Sequence, residues 1–367
     1  MPSRCDRRAF LAGLGSLVPA LALADEDKIP DIIERLRQET ANAPLEMKFT
    51  GTTAEECRQW QGKFGDKLRS LLVPHAPPRD WKTIVRSTAD LDDHRREELL
   101  LVADGFPPLP VYLLLPRPKR EKKVAGMLAL HGHGSYGHHP VAGRDDLPGV
   151  AKAIAGAHYD YGRQLVRKGY AVACPCFTPF GERLGNRERF GNADPCGDTF
   201  LRMLSLGKVL LAENLRDALW AFELLARRPE VDPDHMGCAG LSYGGRMTTF
   251  TSALEPRIKA CVISGALNVM QERLGNPYSC GAQVVPGMLK YGDIPEVISL
   301  IAPRYCVLEV GSKDGLIKEK WAEEALTRIR RAYKAFAALD HLQVDRFEGG
   351  HRWNGAVAFP LLEKVLG

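Results

Sequence analysis

Gly240, Leu241, Ser242, Tyr243 and Gly244 set a serine between two glycines, each two positions away. A serine hydroxyl is a weak nucleophile unless a base takes its proton and an acid orients that base. Alone the motif says little, because glycine makes up 35 of the 367 residues. Its surroundings add to it: the apolar run Met236 to Ala239 feeds into the motif, and Gly245, Arg246, Met247 and Thr248 open a helical stretch behind it. Strand, sharp turn and helix in that order lift a nucleophilic side chain above the end of a sheet. The expected base is His351, which follows Glu348, Gly349 and Gly350 between the last strand-like run and the terminal helical stretch. The expected acid is Asp314, just past the preceding run at Val310 and Gly311, with Glu348 as the alternative. Charge developing on an attacked carbonyl oxygen calls for two backbone donors. The amide of Tyr243 supplies one, and that of His133, between Gly132 and Gly134, is expected to supply the other.

The loop around His133 invites two rival readings. Gly132, Gly134 and Gly137 follow a strand-like run with dinucleotide-binding spacing, but His138, His139 and Pro140 stand where a helix should begin, and no ribose-binding acid ends the next run. His131, His133, His138 and His139 are clustered, yet no carboxylate or cysteine stands near them at a recognisable ligand spacing, so no metal is expected.

These residues need a scaffold. Eight short apolar runs bounded by Gly and Pro read as strands: 99–103, 111–115, 124–130, 170–174, 235–239, 260–263, 306–310 and 343–347. The later runs alternate with helical stretches at 162–168, 208–227, 243–254, 320–339 and 356–366, whereas the first three have none between them. Helix-length crossovers make parallel neighbours, and close runs make antiparallel ones. The expected fold is therefore α/β, an eight-stranded mostly parallel sheet, antiparallel at its start, with helices on both faces. Two long irregular insertions are expected, at 177–205 and 267–300. Residues 25–94 read as an N-terminal helical extension, with Ile32, Ile33 and Leu36, then Trp60, Phe64, Leu68 and Leu71, at helical spacing. Residues 95–367 are left as the catalytic domain.

Residues 1–24 are of another kind. Arg7 and Arg8 precede an apolar run from Leu14 to Leu23, interrupted by Gly15 and Pro19 and ending Ala22, Leu23, Ala24. That pattern is expected to be a removable twin-arginine export signal, giving a periplasmic or secreted protein with no membrane span in the mature chain. Cleavage would remove Cys5 and leave eight of the nine cysteines. Cys238, Cys261 and Cys306 fall in central strands and are expected to be buried thiols, while pairing is open to Cys196 and Cys280 in loop-like stretches. The net charge of +5 is small, and basic residues interleave with acids, as in Arg95, Arg96, Glu97 and Glu98, so no nucleic-acid partner is expected.

From Arg216, Asp217 and Ala218 through Arg228 to Asp232 and on to Gly245, the chain resembles the α/β-hydrolase superfamily, in particular its dienelactone-hydrolase-like and acetyl-xylan-esterase-like bacterial members. It is also similar to the catalytic domain of prolyl-oligopeptidase-type peptidases. The chain order Ser242, Asp314, His351 agrees with the superfamily. The resemblance covers about residues 95–367 and implies hydrolysis through an acyl-enzyme without a cofactor. Two departures stand out: dienelactone hydrolases proper use cysteine where this chain has Ser242, and the short extension cannot supply a β-propeller. The expected substrate is a polar ester with a small acyl group, such as a carbohydrate ester, with peptidase or amidase action as the alternative. Arg183, Asn186, Arg187, Arg189 and Asn192 make the first insertion polar, Trp353 is offered as a stacking platform for a sugar, and Arg246 as a cation near the nucleophile.

Overall fold

The apolar runs pair into a single nine-stranded sheet in the computed structural model, which describes Ile29 and residues 31–117, 122–191, 193–275 and 280–367. The strands are β1 (Lys82–Asp90), β2 (His94–Val102), β3 (Leu109–Pro116), β4 (Val124–Leu130), β5 (Ala171–Pro175), β6 (Val231–Leu241), β7 (Ile258–Ser264), β8 (Tyr305–Gly311) and β9 (Leu342–Phe347). Their spatial order is β1-β2-β3-β5-β4-β6-β7-β8-β9. The pairs β1–β2, β2–β3 and β3–β5 are antiparallel, and every pair from β5–β4 to β8–β9 is parallel.

Eight strands match the expected runs; the ninth, β1, lies inside the stretch read as a helical extension. Apart from Ala89, all its residues are exposed, so it carries no alternation of apolar and polar positions by which a strand is recognised. It holds its place at the sheet edge through its ladder to β2. Central strands show the opposite: all seven residues of β4 are buried, as they must be when helices cover both faces.

Helices are α1 (Ile32–Ala41), α2 (Ala54–Leu71), α3 (Val150–Ala157), α4 (Tyr161–Arg167), α5 (Pro195–Ser205), α6 (Leu210–Ala226), α7 (Tyr243–Leu254), α8 (Met270–Arg273), α9 (Ile294–Ser299), α10 (Glu319–Ala335) and α11 (Ala358–Leu366). Alternate strand residues feed two cores. Leu128, Cys238, Cys261 and Leu308 join Trp220, Phe250 and Ile329 on one face, while Met127, Ala239, Val262 and Val307 join Tyr161, Trp353 and Leu362 on the other. The expected insertions are less irregular than their sequences imply, for the first contains α5 and the second α8 and α9. A capping box of Thr53 and Glu56 starts α2. From α2, Cys57, Phe64 and Leu68 enter the main core, and Gln61 donates to the carbonyls of Ser299 and Ala302. The extension is thus part of the hydrophobic body at α2, whereas α1 buries no residue. Among the described residues no helix is long and apolar enough to cross a membrane. The proposed signal at 1–24 lies outside the described residues.

Candidate active site

Ser242 stands between β6 and α7 with φ 63° and ψ −121°, a backbone conformation that costs energy for any residue with a side chain. Its amide donates to the carbonyl of Ser264 and its carbonyl accepts from the amide of Arg246, which fixes the turn from both sides. The flanking glycines are a steric necessity. A Cβ on Gly244 would lie 1.8 Å from the carbonyl oxygen of Leu130, and one on Gly240 would lie 2.4 Å from the backbone of Gly244. This is the elbow geometry expected from the motif.

His351 and Asp314 meet from the neighbouring strand ends. The imidazole Nδ1 is 2.7 Å from Asp314 Oδ2, and Asp314 Oδ1 accepts from the amide of Leu316. The two loops are tied together, since the amide of Ser312 donates to the carbonyl of Phe347 and that of Lys313 to Gly349. A Cβ on Gly311 would strike the carbonyl oxygen of Gly350 at 2.4 Å. With Nδ1 bound to the carboxylate, Nε2 is the ring nitrogen left for a reacting group, and it is buried without a hydrogen-bond partner among the described residues. Ser242 and His351 line one cavity of about 700 Å³. Glu348, the alternative acid, instead pairs with Lys313 in solvent.

At the other side of the cavity, β4 ends in the His131–Gly134 loop. His131 is fully buried, accepts from the amide of Phe177 at Nε2 and faces the carbonyl of Gly132 at Nδ1, 2.7 Å away. Burial lowers its pKa to about 3, so it is a neutral loop anchor. The amide of Gly132 donates to the hydroxyl of Tyr159. That bond occupies the first amide of the loop and leaves His133 as the next. Tyr243 opens α7, so its amide is among the first N–H groups that have no acceptor within a helix. Its buried side chain accepts from Asn214 Nδ2 and packs on the His133 ring, with centroids 5.0 Å apart.

Two expectations about substrate-facing residues are corrected here. Trp353 is fully buried, stacked on Tyr161 at 4.9 Å, and its amide donates to the carbonyl of Ala157. No face of the indole is open to a sugar; the ring instead anchors the loop that carries His351. Arg246 is also fully buried. It donates through Nη2 to the backbone carbonyl of Asn268 and to that residue's side chain, and through Nε to Gln283 at 3.4 Å, while burial lowers its pKa to about 10. Arg246 therefore stands behind Asn268 and Gln283, which do line the cavity. In the first insertion, Arg183 pairs with the buried Asp217 and Asn186 caps a short turn. Asn192, together with the side chains of Arg187 and Arg189, lies outside the described residues.

Sequence reasoning missed Tyr159, Asp194, Asn268, Arg273, Cys280 and Gln283, all of which line the cavity. None sits in a motif, and all but Tyr159 come from the insertions. It also missed Glu309, buried on β8, whose carboxylate accepts from the amides of Asn354 and Gly355 and so fixes the loop beyond His351. A second cavity of about 700 Å³, lined by Asp90, Arg95, Arg117 and Glu230, opens near the start of β4 and holds no nucleophile beside a base.

No family model matches the chain. Over 298 residues, 74% of this chain and 92% of the relative, it is 30% identical to the protein named "Putative hydrolase YtaP" of Bacillus subtilis strain 168. The chain belongs to the family of that hydrolase, and its fold is that of the α/β-hydrolases. Among solved structures, this hydrolase is similar to a putative acetyl xylan esterase of Bacteroides fragilis, with a TM-score of 0.71 and 18% identity over 89% of this chain and 84% of that one. It is also similar to a glucuronoyl esterase of Teredinibacter turnerae, with a TM-score of 0.61 and 20% identity over 89% and 90% of the two chains. At those identities the likeness is one of fold, a large mostly parallel sheet flanked by helices.

Proposed function

We propose that this hydrolase cleaves carboxylic esters by acyl transfer through Ser242. The observation that carries the reading is the conjunction at one cavity of a strained, glycine-flanked serine with an imidazole whose far nitrogen is held by a buried carboxylate. In the proposed reaction His351 Nε2 takes the proton of Ser242 Oγ as that oxygen bonds to the ester carbonyl carbon. Asp314 holds the ring in the orientation and charge state this requires. The amides of Tyr243 and His133 receive the negative oxygen of the tetrahedral intermediate. His351 then returns the proton to the departing alcohol, and water, activated by the same imidazole, releases the acid. No step calls for a cofactor.

A polar ester with a small acyl group fits the lining. Tyr159, Asp194, Asn268, Arg273 and Gln283 offer hydrogen-bonding groups around the nucleophile, beside the apolar Ala266 and Leu316. The names of the similar structures, an acetyl xylan esterase and a glucuronoyl esterase, favour an ester on a carbohydrate within this class. The first insertion's arginines and Trp353 give no support to that choice. Arg7, Arg8 and the run ending at Ala24 support export to the periplasm or beyond it.

A fluorophosphonate probe should label Ser242, and Ser242→Ala should abolish labelling and lower kcat by on the order of 10³-fold or more while the protein stays folded. Activity on nitrophenyl esters should fall from acetyl to octanoyl and should exceed that on aminoacyl nitroanilides. Labelling elsewhere, or near-normal turnover by the variant, would sink the mechanism.

A further inference from the structure

Three segments distant in sequence meet beside the cavity, which His133 and Cys280 line. His133 comes from the loop after β4, Cys196 from the first turn of α5, and Cys280 from the stretch leading into the short turn Gly281–Gln283. His133 Nε2 is 3.0 Å from Cys280 Sγ, and one ligand atom from each of the three residues lies within 4.8 Å of the others. One imidazole and two thiols are the donor types that borderline-soft cations select. Zinc bonds of about 2.3 Å to sulfur and about 2.0 Å to nitrogen need donors roughly 3.5–3.8 Å apart at the corners of a tetrahedron. Side-chain shifts of about 1 Å would reach that arrangement.

We infer that His133, Cys196 and Cys280 form a zinc site of the Cys2His type beside the Ser242 centre, with the imidazole of His133 on the metal and its backbone amide left to the oxyanion. His133 is exposed and Cys280 half-buried, so the metal has a way in, while Cys196 closes the site from within. Asp194 also lines the cavity, but its carboxylate caps α5 by accepting from the amides of Cys196 and Gly197. The fourth coordination place is therefore left to water or an exogenous ligand on the cavity side. A disulfide between the two cysteines would leave the imidazole with no part in the cluster, whereas zinc coordination uses all three groups. The other cluster of this kind among the described residues, His138, His139 and Glu182, is already engaged, with His138 on the carbonyl of Cys174, His139 on Tyr112 and Glu182 on Arg86. Bound zinc would tie the His133 loop to α5 and to the Gly281–Gln283 turn, three of the segments that frame the cavity.

The sequence offered no such site because 63 residues separate His133 from Cys196 and 84 separate Cys196 from Cys280. The full chain, reduced with a phosphine and freed of metal, should take up one zinc per molecule on equilibrium dialysis. Cobalt in its place should give a sulfur-to-metal charge-transfer band. Cys196→Ser, which touches no proposed reacting group, should weaken zinc binding at least tenfold and remove the band while leaving metal-free esterase activity unchanged. The Ser242→Ala protein should bind zinc as the parent does, so a failure of the esterase reading would leave this result standing. Zinc uptake unaltered by both Cys196→Ser and Cys280→Ser would overturn the inference. So would a chain that takes up no zinc after reduction and re-forms a bond between the two cysteines on exposure to a small disulfide such as oxidised glutathione.

Discussion

Asp314 and Glu348 both precede the base in sequence, and their surroundings separate their roles. The Asp314 carboxylate is buried against Nδ1 of His351, whereas Glu348 is exposed and paired with Lys313. Asp314→Asn is expected to leave the fold intact and to cost about 10²- to 10⁴-fold in kcat/KM, because an amide at that place favours the wrong imidazole tautomer. Glu348→Gln should behave as wild type, since an exposed pair contributes little. Steady-state kinetics on nitrophenyl acetate, with circular dichroism to check folding, would reveal a wrong assignment if Glu348→Gln were the crippled variant.

The loop from His351 to Gly355 is held as an element rather than by any one contact. Trp353 plugs it into the core beside Tyr161, and Glu309 ties down the amides of Asn354 and Gly355. Trp353→Ala should therefore destabilise the protein by about 3–5 kcal/mol, the range for removing a large buried ring. Denaturant unfolding measures that loss, and KM for a sugar ester and for nitrophenyl acetate should change by the same factor. A selective rise for the sugar ester would restore Trp353 to the substrate. Toward the β1 edge of the sheet, Glu182 joins the first insertion to β1 through Arg86 and to the β4 loop through His138. The bond from His138, with help from Arg86 and against the cost of burial, brings its pKa from 4.5 to about 2. A carboxyl so lowered stabilises the fold above pH 4.5, and that contribution is lost as pH falls toward 2. Glu182→Gln should lower stability at pH 7 by roughly 1–2 kcal/mol, allowing for partial exposure. The gap between variant and parent should close in acid unfolding curves over that window.

For the whole molecule, one sheet brings the candidate site together. Ser242, Asp314 and His351 all follow the C-terminal ends of parallel strands, where crevices form in open α/β sheets. The extension contributes at this scale as well, because α2 covers part of the core next to α9 and α10 instead of hanging free. Export is a property of the whole chain too. Replacing Arg7 and Arg8 together by lysine is expected to hold precursor in the cytoplasm, and cell fractionation with N-terminal sequencing of the mature chain should find a start near Asp25 in the parent. Unimpaired export of the double variant would remove the twin-arginine reading.

Local chemistry was legible without the fold. The Gly240 to Gly244 elbow could be read because only glycine tolerates the approach of Leu130 to that turn, and the central strands could be read because buried parallel strands are uniformly apolar. Residues whose role depends on what lies across space could not. Trp353 read as a platform for a sugar until Tyr161 was seen beneath it, and Arg246 as a cation near the nucleophile until Asn268 and Gln283 were seen to enclose it. β1 escaped notice because an edge strand exposed on both faces has no alternation to betray it. The meeting of His133 with Cys196 and Cys280 was invisible for a related reason: spacing along the chain reports ligands that share a turn or a helix face, while these three are brought together only by crossovers that return separate loops to the C-terminal end of the strands.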